Sequence, residues 1–127
     1  LSTSACSFAQ KGAVEALRSG ADMTREMVEE MERRKDVVVK ALQCCEGIHF
    51  APPKGAFYAF PSIERLGVSA LEFCTYLLEE EGVATVPGDA FGSPGYVRIA
   101  FTCSREDVHR GMEKFVAAYE HFLGAQG

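Results

Sequence analysis

The run Tyr96-Val97-Arg98-Ile99-Ala100-Phe101 alternates with period two. In an extended strand, successive side chains point to opposite faces, so Val97, Ile99 and Phe101 share one face. Arg98, Tyr96 and Ala100 share the other. A strand with one apolar face needs a cover on that face alone. It therefore belongs to a sheet covered by helices. Two further aromatic or β-branched runs read as strands, Ala56 to Phe60 and Val83 to Val86, and Ile48 to Ala51 reads as a short fourth. Pro52-Pro53-Lys54-Gly55 supplies turn chemistry between the first two, which makes them a hairpin or at least neighbours. From residue 48 the order is strand, strand, helix, strand, strand, helix. This order predicts an α+β domain whose small, mostly antiparallel sheet is covered by helices.

Capping signals set the helix limits. Ser69-Ala70-Leu71-Glu72 is a capping box that opens a helix to Glu81, closed by Gly82. Ser104-Arg105-Glu106-Asp107 opens the last helix, with core positions Val108, Met112, Phe115, Val116, Tyr119, Phe122 and Leu123. Ser7-Phe8-Ala9-Gln10 is a second capping box, opening a helix that runs to about Arg18 and stops at Ser19-Gly20. Asp22 or Thr24 then caps a long helix ending at Gly47. Its apolar stripe is Met23, Met27, Met31, Val38, Leu42 and Cys45, read as core packing. Residues 1-20 form one helix with no sheet partner of their own, as if cut from a neighbour.

With 13 basic and 18 acidic residues the net charge is -5, which repels phosphate backbones and argues against a nucleic-acid partner. The basic triplet Arg33-Arg34-Lys35 lies among acidic residues and reads as a solvated helix face. No apolar run reaches the roughly 18 residues of a membrane span. Cys6, Cys44, Cys45, Cys74 and Cys103 form no Cys-x-x-Cys pair and are odd in number, so reduced, buried thiols are expected and no metal site. Lys11, Lys35, Lys40 and Lys114 sit on amphipathic helices and Lys54 in a turn, so each reads as a solvated amine. His49, His109 and His121 fall in no catalytic spacing. The loop from Pro87 to Gly95 has three glycines but no phosphate-binding pattern; it reads as a tight surface connection or as the lining of a site. Arg98 stands apart among apolar neighbours. It either faces water or presents its guanidinium fork to a carboxylate.

Three segments together resemble the class I/II aminotransferases of fold type I, which depend on pyridoxal phosphate. They are Pro53-Lys54-Gly55-Ala56-Phe57-Tyr58-Ala59-Phe60-Pro61, Gly82 to Gly92, and Gly95-Tyr96-Val97-Arg98-Ile99-Ala100-Phe101, in the family's order and with similar separations. Ala9-Gln10-Lys11-Gly12-Ala13 is similar to the family's approach to its small domain, and the helix 23-45 to its inter-domain helix. The resemblance implies residues 1-20 as a remnant of the large-domain edge and residues 21-127 as the C-terminal small domain. It implies an enzyme that moves an amino group between an amino acid and a 2-oxo acid. It implies pyridoxal 5'-phosphate in the full-length enzyme, a homodimer, a cytoplasmic or organelle-matrix location, and Arg98 as the ligand of the substrate carboxylate. No residue here fits the family's Schiff-base lysine motif. No catalytic or cofactor-binding residue is therefore expected in this chain, nor bound cofactor, nor activity of the chain alone. A domain stripped of its neighbour is expected to expose apolar surface on helix 8-18 and at the start of helix 23-45. The other readings are a stand-alone α+β ligand-binding or regulatory module, and the small domain of a fold-type-I lyase or decarboxylase.

Overall fold

The computed structural model describes residues 4–125. Its elements in chain order are α1 (Ser7–Ser19), α2 (Ala21–Cys44), β1 (Tyr58–Ala59), α3 (Ala70–Glu79), β2 (Val86–Pro87), β3 (Val97–Ala100) and α4 (Arg105–Gly124). Short 3-10 turns occupy Glu64–Leu66 and Gly88–Phe91. The three strands form one antiparallel sheet in the order β1-β3-β2, so the expected α+β class holds. Two compact units divide the chain, with the boundary inside α2 between Glu32 and Arg33.

The second unit holds the core. Val97, Ile99 and Phe101 are buried, as their alternation requires. Phe73 and Leu77 of α3 and Val108, Met112, Phe115 and Tyr119 of α4 belong to the same buried cluster, with Val38 and Leu42 of α2. Phe73 meets Phe115 edge-on, with ring centroids 5.4 Å apart. The Tyr119 hydroxyl, fully buried, donates to the carbonyl of Glu46 at 3.1 Å, which satisfies an otherwise costly polar group. Ser69 Oγ accepts from the Glu72 amide and Ser104 Oγ from the Asp107 amide, both at 3.1 Å, so two of the three predicted serine starts form caps.

The third does not. Ser7 lies inside α1, whose N-cap is Cys6, and the Gln10 side chain donates back to the carbonyl of Ala5 at 2.8 Å. Neither Asp22 nor Thr24 caps α2. Thr24 donates both its amide and its hydroxyl to the carbonyl of Gly20, so α2 starts directly after that glycine. In the first unit α1 buries nothing, and Phe8, Leu17, Met23 and Met27 are all exposed. The apolar surface expected there is present. The methionine stripe is thus split: Val38, Leu42 and Cys45 are core, while Met23 and Met27 are not.

The strands are shorter than their sequences suggest, for a reason found in the backbone. Val83, expected in a strand, gives its amide to the carbonyl of Leu77 to close α3, so pairing starts only at Val86 and ends at Pro87. The expected strand 48–51 reduces to one bridge, His49 to Ser62, because Ile48 donates to Cys45 and the prolines at 52 and 53 have no amide to give. Pro61 likewise accepts from the Val97 amide but donates nothing, which leaves β1 two residues long.

These contacts set the order of stability losses. Phe73→Ala should cost about 3–5 kcal/mol, and Ser104→Ala about 1 kcal/mol. Urea titration followed by circular dichroism measures both. A midpoint unmoved by Phe73→Ala would contradict the assigned core.

Candidate functional site

β3 is the central strand, and its two faces do different work. Val97 and Ile99 enter the core, and Arg98 leaves by the opposite face. Val86 lies directly across from Arg98 on β2, and Tyr58 on β1 lies across from Ala100, two residues along the same face. The guanidinium carbon of Arg98 is 4.6 Å from the ring centroid of Tyr58 and 4.5 Å from that of Phe91, which closes the 3-10 turn after β2. Both are cation–π distances. Arg98 is half-buried, and its Nε is fully buried without a hydrogen-bond partner among the described residues. A buried N–H left open is costly, and an anion in the guanidinium plane relieves that cost.

The loop from Pro87 to Gly95 shapes this spot. The Gly88 amide donates to the carbonyl of Tyr96 at 2.7 Å. A Cβ at Gly88 would lie 2.2 Å from the carbonyl oxygen of Ser93, so only glycine admits this approach. Gly92 ends the turn at φ 71°, in the left-handed region that favours glycine. The loop expected to line a site, or else merely to connect, carries Phe91 onto Arg98.

The other polar candidates are dispersed. Lys114 is half-buried but donates to the carbonyl of Glu81, with the Glu81 carboxylate 3.9 Å away. Lys11, Lys40 and Lys54 are exposed and Lys35 is half-buried. No lysine therefore has the desolvated surroundings that an imine-forming amine needs. His121 stacks on Tyr76 at 5.6 Å, and His49 serves the backbone bridge to Ser62. A cleft of about 260 Å³ lies beside Val83, Thr85 and Phe101. A groove of about 600 Å³ runs between Val37, Ala41 and Cys44 of α2 and Met112, Val116 and Glu120 of α4. Arg98 lines neither. No group of three or more His, Cys, Asp or Glu able to hold a metal ion occurs among the described residues.

A sequence model of the family described as aminotransferase class I and II matches residues 1–115. This chain belongs to the class I and II aminotransferase family. Among relatives of this aminotransferase chain, an aspartate aminotransferase of Pyrococcus horikoshii is 42% identical over 118 residues, covering 90% of this chain and 30% of that protein. A probable N-acetyl-LL-diaminopimelate aminotransferase of Bacillus subtilis is 40% identical, covering 87% of this chain and 28% of that protein. The solved aspartate aminotransferase of Rhizobium meliloti superposes with a TM-score of 0.75 at 34% identity, over 85% of this chain and 30% of that one. The chain thus spans about 30% of the length of the relatives it matches.

Sequence reasoning gave the face of β3 that Arg98 occupies but missed Tyr58 and Phe91 as its neighbours. Period two gives a side chain's face, whereas a cross-strand neighbour depends on register, which needs the paired partner. The expectation of buried thiols is corrected for three of five cysteines. Cys6, Cys44 and Cys103 are exposed, and only Cys45 and Cys74 are buried. Burial pushes the Cys45 thiol up to about 12, helped by Cys44 and Glu120. Burial raises Cys74 too, against a hydrogen bond from Thr85, and it raises the Tyr119 phenol. Each raised group is held neutral in the fold and ionises more readily once unfolded. The contribution of the Cys45 thiol to stability should therefore be full below pH 9, the ordinary thiol value, and be lost as the pH rises towards 12. Cys45→Ala should flatten that fall. Chemical denaturation at stepped pH gives the slope, and a slope unchanged in the variant would refute the assignment. Iodoacetamide on the native chain should label the three exposed thiols and spare Cys45 and Cys74.

Proposed function

We propose that this chain is the C-terminal small domain of a pyridoxal-phosphate-dependent aminotransferase, in which Arg98 holds the α-carboxylate of an amino acid or 2-oxo acid. Residues 1-20 then belong to the edge of the large domain and residues 21-127 to the small domain. The observation that carries the reading is the Arg98 guanidinium. It lies on the sheet face away from the core, within cation–π distance of two rings, with its Nε buried and without a hydrogen-bond partner among the described residues. The family and its relatives, an aspartate aminotransferase among them, supply the reaction class.

Arg98 acts by orientation. A planar guanidinium meets a carboxylate through two parallel N–H···O bonds, which fix both the position and the plane of the bound acid. The substrate's α-carbon is thereby set at one distance and angle from the sheet. Pyridoxal phosphate, when bound in the complete enzyme, supplies the electron sink for the α-carbon. The residues described here do not fit its imine, since no lysine is fully buried, so that attachment falls to the part of the enzyme outside this chain. The complete enzyme is expected to be a homodimer that works in the cytoplasm or an organelle matrix.

In the full-length protein, Arg98→Ala should lower kcat/KM for amino acids by about 100-fold, as for loss of a charged hydrogen-bonded pair of roughly 3 kcal/mol. Arg98→Lys should also fall, because an ammonium supplies charge without the fork. Imine absorbance with the cofactor should be spared in both. Unchanged kcat/KM in Arg98→Ala would show the assignment wrong. For the 127-residue chain mixed with pyridoxal phosphate, borohydride reduction and peptide mapping should label no single lysine, and one uniquely labelled lysine would refute that part.

A further inference from the structure

Two aromatic rings flank one guanidinium, and they arrive from opposite sides of β3. Tyr58 comes from β1 and Phe91 from the turn that follows β2. Neither belongs to the core: Tyr58 is 37% exposed and Phe91 47%. Phe91 is itself braced. Phe60 meets it edge-on at 6.1 Å, and Phe60 stacks on Tyr96 at 5.2 Å. Packing of the core does not call for large rings left partly in water beside an arginine. Contacts to ring faces also use the guanidinium in a particular way. Where a ring meets the flat face of a guanidinium, the N–H edge is left for other partners, and a carboxylate binds along that edge.

We propose that Tyr58 and Phe91 are positioning residues, which fix the plane of the Arg98 guanidinium and so the direction from which a carboxylate can approach. The proposal rests on the reading of Arg98 as the carboxylate ligand, and the two rings act only through it. A free arginine side chain must be immobilised when its ligand arrives, and that loss weakens binding. A guanidinium already held between rings has less freedom to lose. Nε of the same guanidinium is buried with no hydrogen-bond partner among the described residues.

The test uses the 127-residue chain and acetate as the carboxylate probe, followed by ¹⁵N NMR of the Arg98 side chain. In the unsubstituted chain, ring currents should shift the Arg98 side-chain protons upfield, and acetate should shift Nε saturably. Phe91→Leu and Tyr58→Leu should each reduce the upfield shift and weaken acetate by about 2- to 10-fold. Phe91→Tyr and Tyr58→Phe keep the rings and should restore both. Amide spectra report that each variant is folded, which the exposure of both rings favours. Leucine variants that bind acetate as tightly as the unsubstituted chain, while Arg98→Ala abolishes the shift, would overturn the positioning role alone. Acetate binding that survives Arg98→Ala, or no saturable shift of Nε in the unsubstituted chain, would overturn the reading of Arg98 itself.

Discussion

Pairing of β3 with a strand on each side is the constraint on which the rest of the second unit depends. Antiparallel ladders to β1 and β2 hold Val97–Ala100 extended and fix its pleat. Once the pleat is fixed, Val97 and Ile99 can only enter the core and Arg98 can only leave it. Additional backbone bonds extend the restraint beyond the formal strands. The Val97 amide reaches Pro61, the Phe101 amide reaches Phe57, and Ile63 reaches back to Gly95. Four residues of strand are thus pinned by a longer stretch of chain than their length suggests. A one-residue slip would send Arg98 into a cluster lined by Phe73, Phe115 and Tyr119, where an unpaired charge is prohibitively costly. The arginine that marks the candidate site therefore also penalises the wrong register.

The features legible in the sequence are those determined within a few residues. Ser69 and Ser104 cap because side chain and amide are three residues apart and nothing competes. Alternation in β3 was legible because the strand is central and one-sided. Several misplaced features involve a donor that is absent or already in use elsewhere. Val83 reads as a strand residue by composition, but its amide closes α3. Ser7 reads as a cap by spacing, but Cys6 takes that position and Gln10 turns to Ala5. At the site the same division holds. The face of Arg98 follows from period two, whereas the approach of Tyr58 depends on register and that of Phe91 on the left-handed exit at Gly92.

The first unit raises a different question of energetics. A helix of 13 residues has little stability in water unless an amphipathic face is buried. Yet α1 has no buried residue, and Phe8, Val14 and Leu17 are exposed. Local bonds such as Ser19 to Glu15 and Thr24 to Gly20 support the helix ends, but they cannot replace a buried face. The apolar residues of α1 and of early α2 form a surface whose burial would stabilise these helices. That surface fits the proposal that a large domain packs there, since relatives are about three times as long as this chain. No described helix is long and apolar enough to cross a membrane.

Putting core and site on opposite faces of one short strand separates the demands of stability from those of binding. The core face tolerates little change, because Val97 and Phe101 are almost wholly buried against α3 and α4. The site face is held by contacts that need no core at all: a ladder of backbone bonds, two rings and a glycine-bounded turn. Substitution at Arg98, Tyr58 or Phe91 then removes contacts worth about 0.5–1 kcal/mol each at exposed sites, far below the cost of emptying the core. Chains that keep the core face can therefore vary the site face and still fold. In one scaffold, this freedom lets residues around a fixed arginine differ while the strand that presents it stays the same.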